Sequence, residues 1–251
     1  KIPLGLYIHI PWCVKKCPYC DFNSFEPGSS NLESEYIETL KADLVIERER
    51  LGPSVSLHSI FMGGGTPSLF STAAIASILE TADSLFPINQ ETEITLEANP
   101  GTTDQEKFNG YFQAGVNRIS IGVQSFDNNF LKELGRIHTA NDAQKAFTAA
   151  REAGFTNINL DLMHGLPGQT LGAALNDLKI AVSLQSEHLS WYQLTIEPNT
   201  YFHKFPPILP DEDHLWEIYE TGLTYLASEG FTRYEISAFS KQERQCRHNL
   251  N

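Results

Sequence analysis

Strand-like and helix-like segments alternate along this chain, and such alternation leaves few folds open. GLYIHI (Gly5 to Ile10) is short, apolar and rich in β-formers, which predicts a buried strand. Leu32 to Leu51 follows with Tyr36, Leu40 and Leu44 spaced between charges, then Gly52-Pro53, which reads as a helix and its stop. Further strands are predicted over Ser56 to Met62, Glu93 to Ala98, Asn117 to Ser125, Asn157 to Gly165 and His188 to Leu194, with a last short one over Thr232 to Ile236. Helices are predicted over Ser71 to Phe86 with Ser71 as N-cap, Thr103 to Ala114, Asn128 to Leu134, Ala140 to Ala153, Leu171 to Leu184 and Asp211 to Glu229. About six βα units in a row imply an α/β fold, a parallel sheet with helices outside it.

With 251 residues, 41% of them hydrophobic, the chain can bury a large core as one barrel or one large α/β domain. Its net charge of −13 argues against a nucleic-acid partner, because that binding rests on clustered Lys and Arg. No apolar run reaches the roughly 18–20 residues that span a bilayer, so no transmembrane segment is expected. No basic-then-apolar leader is visible, which makes a reducing cytoplasmic setting the default. The chain starts without Met and stops at HNLN, so a piece of a longer protein is expected.

The unusual residues fall at predicted strand ends: a cysteine loop, Gly63-Gly64-Gly65, Glu97, Gln124, Asp161 and Gln193. In βα barrels the active site gathers at the C-terminal ends of the strands. Three of the four cysteines lie in CVKKCPYC, with the spacing Cys13-x3-Cys17-x2-Cys20. Three incidental thiols fit poorly in a loop rich in Lys and Pro, and a disulfide reading fails on parity and compartment. A zinc site needs a fourth ligand, for which His9 or Asp21 could be recruited, and it stays open. The better reading is a [4Fe–4S] cluster, the usual metal centre of such thiolates. Three thiolates leave one iron free for a chelating molecule. Pro11 and Pro18 stiffen the loop, and Lys15-Lys16 partly offset its negative charge.

CxxxCxxC after a first strand resembles the radical S-adenosylmethionine (SAM) superfamily. More narrowly, LYIHIPWCVKKCPYCDF, GGGTPS, LEANPG, RISIGVQSF, LGRIH, NLDLMHGLPGQT and YQLTIEPNT resemble the oxygen-independent coproporphyrinogen III oxidase family, in order and across nearly the whole chain. Within it Asp21-Phe22 stands where the true oxidases carry a further cysteine. The terminal Arg247-His248-Asn249-Leu250-Asn251 looks like the first half of an HNxxYW motif. Both features resemble the heme-chaperone branch.

The resemblance implies a partial (βα)6 TIM-like barrel of the radical SAM type, open on one side. It implies a radical SAM core over 1–230, with 231–251 beginning a connection to a missing C-terminal domain. The open side would admit a large flat porphyrin. Cys13, Cys17 and Cys20 would hold the cluster. Gly64, Gly65 and Thr66 would flank the methionine end of SAM, their glycines letting backbone approach it. Glu97 would pair with its amine or ribose, Gln124 and Asp161 with ribose hydroxyls, and Arg136 with its carboxylate. Tyr7 and His9, two apart on a strand, would point together toward the cluster, and Tyr7 joins the SAM set. His248 is a candidate heme ligand. Cys246 is expected to be a spectator.

The implied function is a heme chaperone that passes heme to recipient hemoproteins. The alternative is the oxidase, in which a 5′-deoxyadenosyl radical from reductive SAM cleavage takes a propionate hydrogen and carbon dioxide leaves. Either would need an electron donor such as a flavodoxin or ferredoxin. A zinc-stabilised binding module is the third reading.

Overall fold

In each inner strand apolar and polar residues alternate, and successive side chains leave a strand on opposite faces. In the computed structural model, which describes residues 4–27, 33–51 and 55–250, that alternation builds a sheet with two different sides. Six βα steps make up most of the chain: β1 (Leu4–Ile10), α1 (Glu33–Leu51), β2 (Leu57–Gly64), α2 (Thr72–Leu85), β3 (Glu93–Ala98) and α3 (Gln105–Gln113). They continue as β4 (Arg118–Gln124), α4 (Asn128–Glu133), α5 (Ala140–Glu152), β5 (Ile158–His164), α6 (Leu171–Ser183), β6 (His188–Gln193), α7 (Tyr201–Lys204) and α8 (Glu212–Ser228). A short pair, β7 (Thr232–Arg233) and β8 (Ala238–Ser240), ends the series.

The sheet order is β1-β2-β3-β4-β5-β6-β8-β7. β1 to β6 run parallel. β8 is antiparallel to β6, and β7 to β8. β1 and β7 stand at opposite ends of that order, so the barrel is open, as expected. Ile94, Leu96, Ile119, Ile121, Leu160 and Leu189 belong to the large core shared with the helices. Arg118, Ser120, Asn159, Asp161 and His188 alternate with them and meet one another inside the curve of the sheet. The lumen is therefore polar.

Side-chain caps start the helices where the sequence placed them. Ser71 Oγ accepts the Ala74 N–H, and Thr139 with Asp142 forms a reciprocal capping box on α5. Gly222 lets α8 lie against β6, since a Cβ there would stand 2.0 Å from the Trp191 ring.

Three expectations change. The single strand predicted over Thr232 to Ile236 is two shorter ones, because the chain turns so that Tyr234 points at His188. Residues 232–240, beyond the expected boundary at 230, continue the barrel's own sheet. α7 was not predicted, since four residues show no periodicity. Leu32, the stop at Gly52-Pro53 and Asn251 lie outside the described residues.

Candidate functional site

β1 delivers the chain into the cysteine loop. The loop is closed at its base by Cys13 N–H on Phe25 O (2.9 Å) and Phe25 N–H on Pro11 O (2.7 Å). Lys16 Nζ donates to the carbonyls of Phe22 and Ser24 (2.9 and 3.2 Å), so this lysine is a strut within the loop as well as a charge. His9 donates from Nε2 to Asn23 O (2.8 Å) and accepts the Tyr7 hydroxyl at Nδ1 (3.1 Å). Both ring nitrogens are engaged, which removes His9 as a fourth zinc ligand. Among the described residues no three His, Cys, Asp or Glu converge on a single ion.

Cys13, Cys17 and Cys20 are half-buried and line one cavity of about 490 Å³ at the C-terminal ends of the strands. Gly64, Gly65 and Thr66 line it too. Glu97, Gln124, Arg136 and Asp161 complete the predicted set within it. Tyr7 and His248 are not among its lining residues. Tyr7 is joined to the loop through His9, which bonds the Asn23 carbonyl.

Arg136 is more tightly held than expected. Its Nη2 donates to Gly122 O (2.8 Å) and its Nη1 lies 3.5 Å from Cys17 Sγ, while Nε is buried without a partner. A buried polar group in that state points to a missing partner. Gln124 takes a left-handed backbone (φ 69°) at the end of β4, and its Oε1 accepts the Tyr192 hydroxyl at 2.7 Å.

The glycines answer first to protein neighbours. Gly64 has φ 107°, and a Cβ there would stand 2.5 Å from the His9 ring. A Cβ on Gly65 would stand 2.7 Å from the Trp12 carbonyl. The motif is thus locked onto β1 and the cysteine loop, a constraint separate from any approach to methionine.

Two carboxylates set the electrostatics. Burial, then the nearby Asp161, pushes Glu97 up to about 8, against the Gly64 N–H that it accepts at 3.2 Å. Burial also raises Asp161, although Ser120 Oγ (2.9 Å) and Asn159 Nδ2 (2.7 Å) both donate to it. Burial disfavours both anions, so the cavity favours a ligand that brings positive charge. An amino acid carrying an ammonium and a sulfonium answers that need. The free Nε of Arg136 answers a carboxylate. Donor set and charge both fit a cluster with SAM.

The C-terminal segment lies elsewhere. Cys246 is buried, and its thiol points at Glu93 Oε1 (3.4 Å), which also accepts the Arg247 N–H (2.8 Å). Arg247 donates in addition to the Glu91 carbonyl. His248 stacks on Phe61 with ring centroids 4.9 Å apart and lies 6.1 Å from Tyr7. Its Nδ1 is buried without a partner among the described residues. Sequence reasoning did not single out Ser120, Asn159 or Ser190 (two of which line the cavity), because alternating polar residues in a strand also suit a solvated face.

The profile of the radical SAM superfamily matches residues 7–180. The chain is 54% identical over 252 aligned residues to the heme chaperone HemW of Haemophilus influenzae, covering 99% of this chain and 66% of that protein. It is 51% identical to HemW of Escherichia coli, again over 99% of this chain and 66% of the relative. The chain thus spans about two thirds of these curated relatives. The solved structure of coproporphyrinogen III oxidase (HemN) from Escherichia coli, a radical SAM enzyme, superposes with a TM-score of 0.87 at 26% identity, over 96% of this chain and 56% of that one.

Proposed function

The chain belongs to the radical SAM superfamily, and on that premise we propose that its cavity takes a [4Fe–4S] cluster and SAM in a protein that hands heme to hemoproteins. One observation carries the cofactor reading. Three half-buried thiols share a single cavity with two carboxylates whose charge is disfavoured there and an incompletely paired guanidinium. Identity of 54% to a named heme chaperone supports the cargo.

Cys13, Cys17 and Cys20 would bind three irons. When bound, the cluster supplies one electron for reductive cleavage of SAM. Arg136 holds its charge against Cys17 and offers Nε to the SAM carboxylate. Glu97 would hold the ammonium, whose positive charge would favour the ionised carboxylate against the burial penalty. Gln124 and Asp161 take ribose hydroxyls. Gly64, Gly65 and Thr66 hold the methionine end, and Tyr7 steadies the loop through His9. His248 is the heme ligand in this reading, at a place apart from the cavity. Recipient hemoproteins and a flavodoxin- or ferredoxin-like electron donor complete the partners, in the cytoplasm. No helix among the described residues is long and apolar enough to cross a membrane.

The second reading is coproporphyrinogen III oxidase, favoured by the superposition at a TM-score of 0.87. One experiment separates the two. Anaerobically reconstituted protein is given reductant, SAM and coproporphyrinogen III, and in parallel is titrated with heme. Heme binding without protoporphyrinogen supports the chaperone; protoporphyrinogen formation overturns it. A colourless protein without sulfide overturns both.

A further inference from the structure

The polar lumen contains an ordered line of hydrogen bonds that starts at the cavity and ends outside it. Asp161 fixes its direction. The Asn159 amide turns Nδ2 toward Asp161 Oδ1 (2.7 Å) and toward Ser120 Oγ (2.7 Å), whose own hydrogen goes to Asp161 Oδ2 (2.9 Å). Its Oδ1 therefore faces His188 Nδ1 (2.6 Å) and Ser190 Oγ (3.2 Å). His188 is fully buried, and burial holds it well below its usual range, so it is neutral and carries its hydrogen on Nδ1. Its Nε2 then accepts the Tyr234 hydroxyl at 2.6 Å. The Tyr234 oxygen in turn accepts the Cys246 N–H (3.0 Å) and Asn249 Nδ2 (3.3 Å).

Every donor in this line has one acceptor it can face. Turning Tyr234 away would strand a buried imidazole nitrogen, and that cost exceeds the value of one bond. Residues 246 and 247 are also anchored on Glu93, so the far end of the line is fixed to the start of β3.

We propose that Asn159, His188 and Tyr234 are positioning residues that hold Asp161 for SAM from the seat of the segment 246–249. The inference rests on the reading of Asp161 as part of the SAM site. It places control of that cavity in residues that do not line it.

The test uses cluster-loaded protein under anaerobic conditions and measures the Kd for SAM by calorimetry alongside the melting temperature. Tyr234→Phe keeps the ring and removes the oxygen; the SAM Kd rises about three- to ten-fold, the loss of one buried hydrogen bond. In an Asp161→Asn background the same change adds less than about two-fold, since the line no longer ends on a carboxylate. A purely structural role lowers the melting temperature and leaves the Kd unchanged, or shifts it equally in both backgrounds; either result overturns the proposal. His188→Gln is the second variant, in case Tyr234→Phe does not fold. It retains a partner for Tyr234 but withdraws the donor from Asn159, and it raises the Kd by a similar factor; a wild-type Kd there also overturns the proposal. If wild-type protein with a full cluster binds no SAM, the SAM reading itself fails. If it binds SAM and the variants bind equally well, only the positioning role fails.

Discussion

Replacing Glu97 by Gln should make the cofactor-free protein more stable, and only above mild acidity. Burial, then Asp161, pushes the Glu97 carboxyl up to about 8 from its ordinary 4.5. Below 4.5 the folded and unfolded chains both hold the proton, so Glu and Gln behave alike. As pH rises toward 8 the unfolded chain releases its proton while the fold retains it, and wild-type stability falls. The loss is complete once the folded carboxyl has also ionised. Each pH unit of that window is worth about 1.4 kcal/mol per proton, which caps the effect near ~5 kcal/mol. Relaxation of the lumen and entry of water reduce this to about 2 kcal/mol. In a chain of this length that is roughly 4–8 °C in Tm. Glutamine keeps an oxygen for the Gly64 N–H, so nothing else is removed. The assay is thermal unfolding by circular dichroism from pH 4.5 to 9. Glu97→Gln melts higher at pH 8.5–9, and the gap closes at the acid end. A gap independent of pH, or a variant less stable at pH 9, would refute the electrostatic account of the cavity.

Three other outcomes are expected. Alanine at Cys13, Cys17 or Cys20 abolishes iron and sulfide loading, whereas Cys246→Ala, which touches Glu93 rather than the cavity, leaves both unchanged; elemental analysis after reconstitution decides it. Arg136→Met removes a positive charge beside Cys17 Sγ and lowers the cluster midpoint potential by on the order of 100 mV in a redox titration followed by electron paramagnetic resonance. Gly222→Ala drives a Cβ into the Trp191 ring and costs about 1–3 kcal/mol, partly offset by roughly 1 kcal/mol of helix propensity, read as a lower Tm.

The βα rhythm was legible because long helices and buried strands carry unmistakable periods, and Ser71 announced its helix as a cap. Asp161 was also legible, as a carboxylate inside an apolar strand needs a reason to be there. The rest depended on distance in sequence. Alternation in β4 to β6 showed that half of each strand was polar, but not that Ser120, Asn159 and His188 converge in a lumen. Ala238–Ser240 is too short to register as a strand, and it pairs only because β6 offers an open edge. Tyr7 lay on the expected face, yet its hydroxyl is taken by His9. His248 could not be placed at all from its neighbours, because its ring settles on Phe61, nearly two hundred positions earlier.

The cysteine loop sits near the start of the chain, but much later residues moor it. Phe202 N–H bonds the Pro18 carbonyl, Tyr19 packs against the Phe202 ring, and Arg136 meets Cys17. The three thiols precede these anchors in sequence by more than a hundred residues. The loop therefore reaches its full set of contacts only when residues as distant in sequence as Arg136 and Phe202 have been folded against it. A change at either distant anchor would loosen the loop without touching a cysteine.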